Sequence, residues 1–131
     1  MAEPASLLQQ WIAKAEEDWE AAQLLSSSPS QAATTCFHCQ QCAEKLLKTA
    51  LLTAGGTIPK THDLRILSSL LSERDPLWIW DLDVLEDLNA GAVASRYPGY
   101  AVDRQDAADS LNATRTLRRT LLNRLQIQPG S

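Results

Sequence analysis

The run Cys36-Phe37-His38-Cys39-Gln40-Gln41-Cys42-Ala43-Glu44-Lys45-Leu46-Leu47-Lys48 constrains the fold of this chain more than any other stretch. Cys36, Cys39, Ala43, Leu46 and Leu47 recur at three- and four-residue steps and form one apolar stripe on a helix. Gln40 falls inside that stripe and Glu44 on its margin. A polar group that faces a core costs free energy unless it is paired. Other helices must therefore bring partners to these two side chains.

The rest of the chain supplies such helices. Residues 5–26 carry Leu8, Trp11, Ile12, Ala15, Trp19, Ala22 and Leu25 on one broad face, with Asp18 about 50° from its centre and Glu16 and Glu17 directed away. Ser26-Ser27-Ser28-Pro29-Ser30 stops this helix and is expected to cap the next, over about 31–54. The second helix adds Ala50 and Leu51 to its stripe and places His38, Gln41, Lys45 and Lys48 on the solvated side. Gly55-Gly56 ends it, since glycine tolerates positive φ.

Thr61 reads as the cap of a shorter helix over about 62–73 that buries Leu64, Leu67, Leu70 and Leu71. His62 and Asp63 fall in its first turn, where a structural role is the expectation. A helix over about 79–95 presents Leu82, Leu85, Leu88 and Ala92 inward, and Tyr97-Pro98-Gly99 breaks it. The last helix, about 104–126, has its stripe at Ala107, Leu111, Leu117, Leu121, Leu122 and Leu125, with Arg118 about 20° from the centre. The expected fold is all-α: an antiparallel up-and-down bundle of four long helices plus one short helix. One domain spans residues 1–131, with its core over about 5–126 and a frayed tail after it.

Helical phase thus places Asp18, Gln40, Glu44, Asn89, Arg96 and Arg118 on or beside inward faces of four different helices. Two acids balance two arginines, as a partly buried set requires. Convergence of the six into one hydrogen-bonded cluster or cleft is the functional expectation. Separate structural pairs, or side chains reaching out to water, are the alternative.

Composition and motif spacing narrow the chemistry. The net charge of −4 disfavours an extended electrostatic grip on nucleic acid. No apolar run approaches the roughly 20 residues that span a bilayer, and the N-terminus lacks a signal-peptide pattern, so a soluble cytoplasmic protein without a membrane partner is expected. Cys36, Cys39 and Cys42 step about 60° apart on one helix; they form no disulfide framework, and with His38 they fan too widely for one tetrahedral zinc. Gly55-Gly56 lacks the Gly-Lys-Ser/Thr ending of a phosphate loop. Neither a catalytic residue set nor a metal site is expected. Arg115, Arg118, Arg119 and Arg124 charge the last helix, where arginine forks suit phosphate but a solvated face is the default. Trp11 and Trp19 read as core, whereas Trp78 and Trp80 flank Ile79 at a helix start and are candidate anchors for a partner.

Three segments together carry a family pattern: His38 to Lys48 with its Gln-x-x-x-Glu-Lys centre, Thr61-His62-Asp63-Leu64, and Arg96-Tyr97-Pro98. With the Ala15–Asp18 segment and Ala21-Ala22, they resemble the HEPN (higher eukaryotes and prokaryotes nucleotide-binding) domain family over about residues 10–125. The resemblance implies a four-main-helix bundle, a homodimer, and a partner protein with a nucleotidyltransferase domain, as in toxin–antitoxin-like two-component systems. It also implies a nucleotide as ligand in a cleft near Arg96, which brings Tyr97 into the candidate set of Asp18, Gln40, Glu44, Asn89, Arg96 and Arg118. One branch of the family cleaves RNA through Arg followed four to six residues later by His. Here the histidines are His38 and His62 and the first arginine is Arg65, so no arginine precedes a histidine. A non-catalytic module is the leading expectation, and an RNA-cleaving toxin with a non-standard active site is the alternative.

Overall fold

The computed structural model of the chain describes residues 6–125, which form five α-helices and one short 3-10 turn with no strand. Helix α1 spans Leu7–Leu25, α2 Ala32–Thr53, α3 Leu64–Arg74, α4 Leu82–Arg96 and α5 Arg104–Arg124, with the 3-10 turn at Pro29–Gln31. The boundaries at residues 5 and 126 and the expected tail lie outside the described residues.

Local chemistry explains the helix ends. Ser6 and Gln9 form a reciprocal capping box at the start of α1. Gly55, at φ +85°, turns the chain out of α2, and the Gly56 amide donates to the Leu51 carbonyl at 2.9 Å. Asp103 and Asp106 box the start of α5. The serine run after α1 does not cap α2: the 3-10 turn leads into that helix, and Gln31 stands at its N-cap without a side-chain bond. At α3 the cap is Asp63, which accepts from the Arg65 amide at 3.0 Å, while Thr61 Oγ1 accepts from the Asp63 amide at 3.1 Å. The expected cap therefore lies two residues upstream and holds the real one.

Helix α2 is the hub, packed against α1, α3, α4 and α5. Fourteen of its 22 residues are buried, so the picture of one apolar stripe and one solvated face does not hold for it. Lys48 is buried, and Lys45 and His38 are largely covered, contrary to the solvated side expected for them. A helix with neighbours on several sides buries its flanks as well as its stripe.

Leu46, Leu47, Leu64, Leu67, Leu85, Leu117 and Leu121 are fully buried in the main core. Leu82 is not among them. Asp81 caps α4 by accepting from the Asp83 amide, so Leu82 is the first helical residue and is 57% exposed. Trp78 takes a core position and not that of a partner anchor. It is buried in the α3–α4 connector, donates from Nε1 to Ser68 Oγ at 2.9 Å and stacks on Trp80 at 5.2 Å, while Leu77 and Ile79 face solvent. Trp11 is half-buried, with the Lys48 ammonium 5.9 Å from its ring centre.

Close approach of α4 to α2 depends on Gly91. A β-carbon there would lie 2.9 Å from Cys36 Cβ, an atom that cannot swing aside. Gly91→Val is expected to lower stability by about 1–3 kcal/mol through overpacking, read from urea unfolding.

Candidate functional site

The polar residues of α2 find partners beyond their own helix on two sides. Towards α1, Asp18 receives the Lys45 ammonium, and its Oδ1 lies 2.9 Å from His38 Nδ1. Towards the α2–α3 connector, Glu44 takes Lys48 Nζ at 3.2 Å on one oxygen and His62 Nδ1 at 3.0 Å on the other. Gln40 Nε2 donates to the His62 carbonyl at 2.9 Å, and Gln40 Oε1 accepts from Gln41 at 2.8 Å. A carboxylate can only accept, so each imidazole carries its proton on Nδ1 and leaves Nε2 unbound by the pair.

The connector passes this network to α4. Asn89 Oδ1 accepts from the Leu64 amide at 3.1 Å, and its Nδ2 donates to Asp63 Oδ1 at 2.8 Å. Burial pushes the Asp63 carboxyl up, but hydrogen bonds from the Arg65 side chain and amide and from Asn89 outweigh it and hold the group below its ordinary value. Arg65 continues outward to Glu86 at 3.1 Å.

Arg118 belongs to a separate assembly. Its guanidinium grips Glu16 at 2.8–3.2 Å through Nε and Nη2, and lies 5.5 Å from the Trp19 ring centre. Arg115 lies 5.6 Å from the same ring. Arg96 is exposed at the end of α4, 5.9 Å from the Phe37 ring, and Tyr97 beside it is exposed.

The seven candidate residues are therefore spread over distinct sets. Gln40 and Glu44 share one network, which reaches Asn89 through the His62–Asp63–Leu64 backbone. Asp18 lies with His38 and Lys45, Arg118 with Glu16, and Arg96 with Phe37. Sequence phase missed Glu16, His38, Lys45, Lys48, His62 and Asp63 as members. The spacing Glu44–Lys48 was a readable i, i+4 pair, but the long-range partners carried no such signal.

A concavity of about 830 Å³ lies elsewhere, between α4 and α5. Leu88, Gly91 and Cys36 line its base, and Asp87, Asp106 and Asp109 line it without any lysine, arginine or histidine. None of the seven candidate residues takes part in it.

The three thiols are buried, and burial raises each pKa, that of Cys39 to about 12. Among the described residues, no group of three His, Cys, Asp or Glu side chains is placed to hold a metal ion.

The model of the HEPN domain matches residues 8–125. The chain belongs to the HEPN domain family. Two solved structures share the HEPN fold seen here. TT1696 from Thermus thermophilus superposes with a TM-score of 0.71 at 22% identity, covering 88% of this chain and 96% of that one. ST0689, described as an archaeal HEPN homologue, gives 0.64 at 23% identity, covering 92% and 98% respectively. No curated protein gives a significant match.

Within this HEPN domain the buried Glu44–Lys48 pair is open to test. Lys48→Met should cost about 3–5 kcal/mol in urea unfolding, because it removes the ammonium that neutralises a buried carboxylate. The double change Lys48→Met/Glu44→Leu should recover most of that loss. Asp63 has a lowered pKa, so it stabilises the fold above its unfolded value of 3.8, and this contribution is lost as pH falls through the folded value. Asp63→Asn should therefore be less stable at neutral pH and lose less further stability below about pH 4 than wild type does, as measured by thermal unfolding across pH.

Proposed function

We propose that this chain is a single, non-catalytic HEPN module that dimerises and pairs with a nucleotidyltransferase-domain protein in a toxin–antitoxin-like system. The observation that carries the reading is the neutralisation of three covered cations within the bundle. Lys45 meets Asp18, Lys48 meets Glu44 and Arg118 meets Glu16. Phosphate binding needs positive charge that can be turned toward a ligand, and these cations already hold carboxylates. The groove between α4 and α5 presents acids, which repel a nucleotide's phosphates. The nucleotide implied by the family resemblance is thus given no electrostatic support at either place.

Contacts to another subunit are better served. Leu77 and Ile79, more than 80% exposed at the α3–α4 connector, offer an apolar step that suits a dimer or partner contact. They take the role that sequence spacing suggested for Trp78 and Trp80.

One observation favours RNA cleavage as the second reading. The Phe37 ring touches both Arg96 and His38, with the imidazole edge-on at 5.2 Å, so a cation and an acid–base group share one aromatic neighbour. Incubation of purified protein with total RNA in EDTA separates the two. The RNA is expected to stay intact. Cleavage that disappears in both Arg96→Ala and His38→Ala would replace the non-catalytic reading by the ribonuclease one.

A further inference from the structure

We propose that the groove between α4 and α5 is a docking site for a cationic amphipathic helix from a partner protein. The proposal rests on the reading of this chain as an interaction module and specifies where, and with what chemistry, it would be engaged.

The shape of the groove comes first. Gly91 lets α4 settle onto Cys36 of α2, which fixes the base of the groove. From Val84 to Ala94 the groove follows α4 for about 15 Å, at 1.5 Å per residue. Anchors at i, i+4 and i+7 of an incoming helix span about 10 Å and fit within that length. Val93 and Tyr100 line it as well, and both are large apolar side chains left 44% and 59% exposed. The lining is thus apolar along its length, as a helix-binding groove requires.

Charge then selects the occupant. Asp87 comes from α4, and Asp106 and Asp109 come from α5. No basic side chain lines the groove, and among the described residues none of the three carboxylates forms an ion pair. Asp106 accepts the Asp103 amide in the α5 capping box, and Asp109 accepts from Gln105, so both are held in place by neutral donors that leave their charge uncompensated. Uncompensated like charge around an apolar trough attracts a complementary ligand and repels an anionic one. An apolar stripe flanked by lysine or arginine satisfies both features together. A nucleotide or an acidic segment satisfies neither.

Two labelled peptides test the proposal on the full chain, each about five helical turns long: a Leu/Lys amphipathic helix and its Leu/Glu counterpart. Anisotropy titration and amide shift mapping provide the readouts. The Leu/Lys peptide is expected to bind, with shifts centred on residues 84–94 and 100–113, and the Leu/Glu peptide is not. Val93→Glu adds negative charge to the protein, so diffuse attraction predicts tighter binding, whereas seating in the groove predicts at least about tenfold weaker binding. Asp87→Asn should also weaken it. Glu20→Gln, which removes an exposed charge on α1 outside the groove, should leave it within about twofold.

No binding, shifts centred elsewhere, equal binding of the two peptides, or Val93→Glu binding as tightly as wild type would each overturn the proposal. A wild-type dimer that Val93→Glu dissociates in sedimentation equilibrium would overturn it in favour of a second copy of this chain. Val93 is substantially exposed, so its variant should fold, and Asp87→Asn provides an independent check. Pairing itself is scored separately, by co-purification with a co-expressed nucleotidyltransferase-domain protein. Failure there refutes the pairing reading and leaves the peptide result to decide the groove.

Discussion

Burial of α2 on several sides is the constraint on which the rest of this HEPN domain depends. A central helix excludes water from its polar side chains, and the sequence of α2 contains many of them. Each must then be met by a neighbour, because a stranded charge at Glu44 or Lys48 would cost several kcal/mol. The positions of α1 and the α2–α3 connector follow from this as much as from leucine packing. Asp18 draws Lys45 and His38 against α1, while Glu44 and Gln40 pin His62 in the connector.

That connector links the centre of the bundle to its periphery. Gln40 holds the His62 carbonyl, Asn89 holds the Leu64 amide, and Asp63 between them caps α3. Three helices thus meet at four consecutive residues, Thr61 to Leu64. Two of the segments that mark the family in the sequence, His38 to Lys48 and Thr61 to Leu64, meet in space at this junction. Their chemistry here is first that of a joint, with the largely exposed His62 side chain at its surface.

The groove between α4 and α5 has the opposite character. It is lined by small and apolar residues and by acids without counter-ions, and none of the family motif residues lies in it. The division separates a charge-neutral interior, which stabilises the module, from a surface left electrostatically unsatisfied. Unsatisfied surfaces are where a binding module has free energy available for a partner.

Five helices, their order and most of their core are legible in the sequence because apolar periodicity is local: Leu64, Leu67, Leu85, Leu88, Leu117 and Leu121 announce their faces within a few turns. The inward placement of Asp18, Gln40, Glu44 and Arg118 is legible for the same reason. Their partners are not. Phase on one helix does not say how many neighbours surround it, so Lys48 reads as solvated and Glu16 as turned away from the core that holds Arg118. Nor does it say which residues of two helices meet, so phase suggests one central cluster where several separate pairings exist. The sequence by itself determined an all-helical chain with polar groups that had to be buried and paired. Only the tertiary structure decided the pairings, sent Trp78 inward and Ile79 outward, and opened the acidic groove, because contacts between residues 18 to 102 positions apart depend on how helices are placed and not on their periodicity.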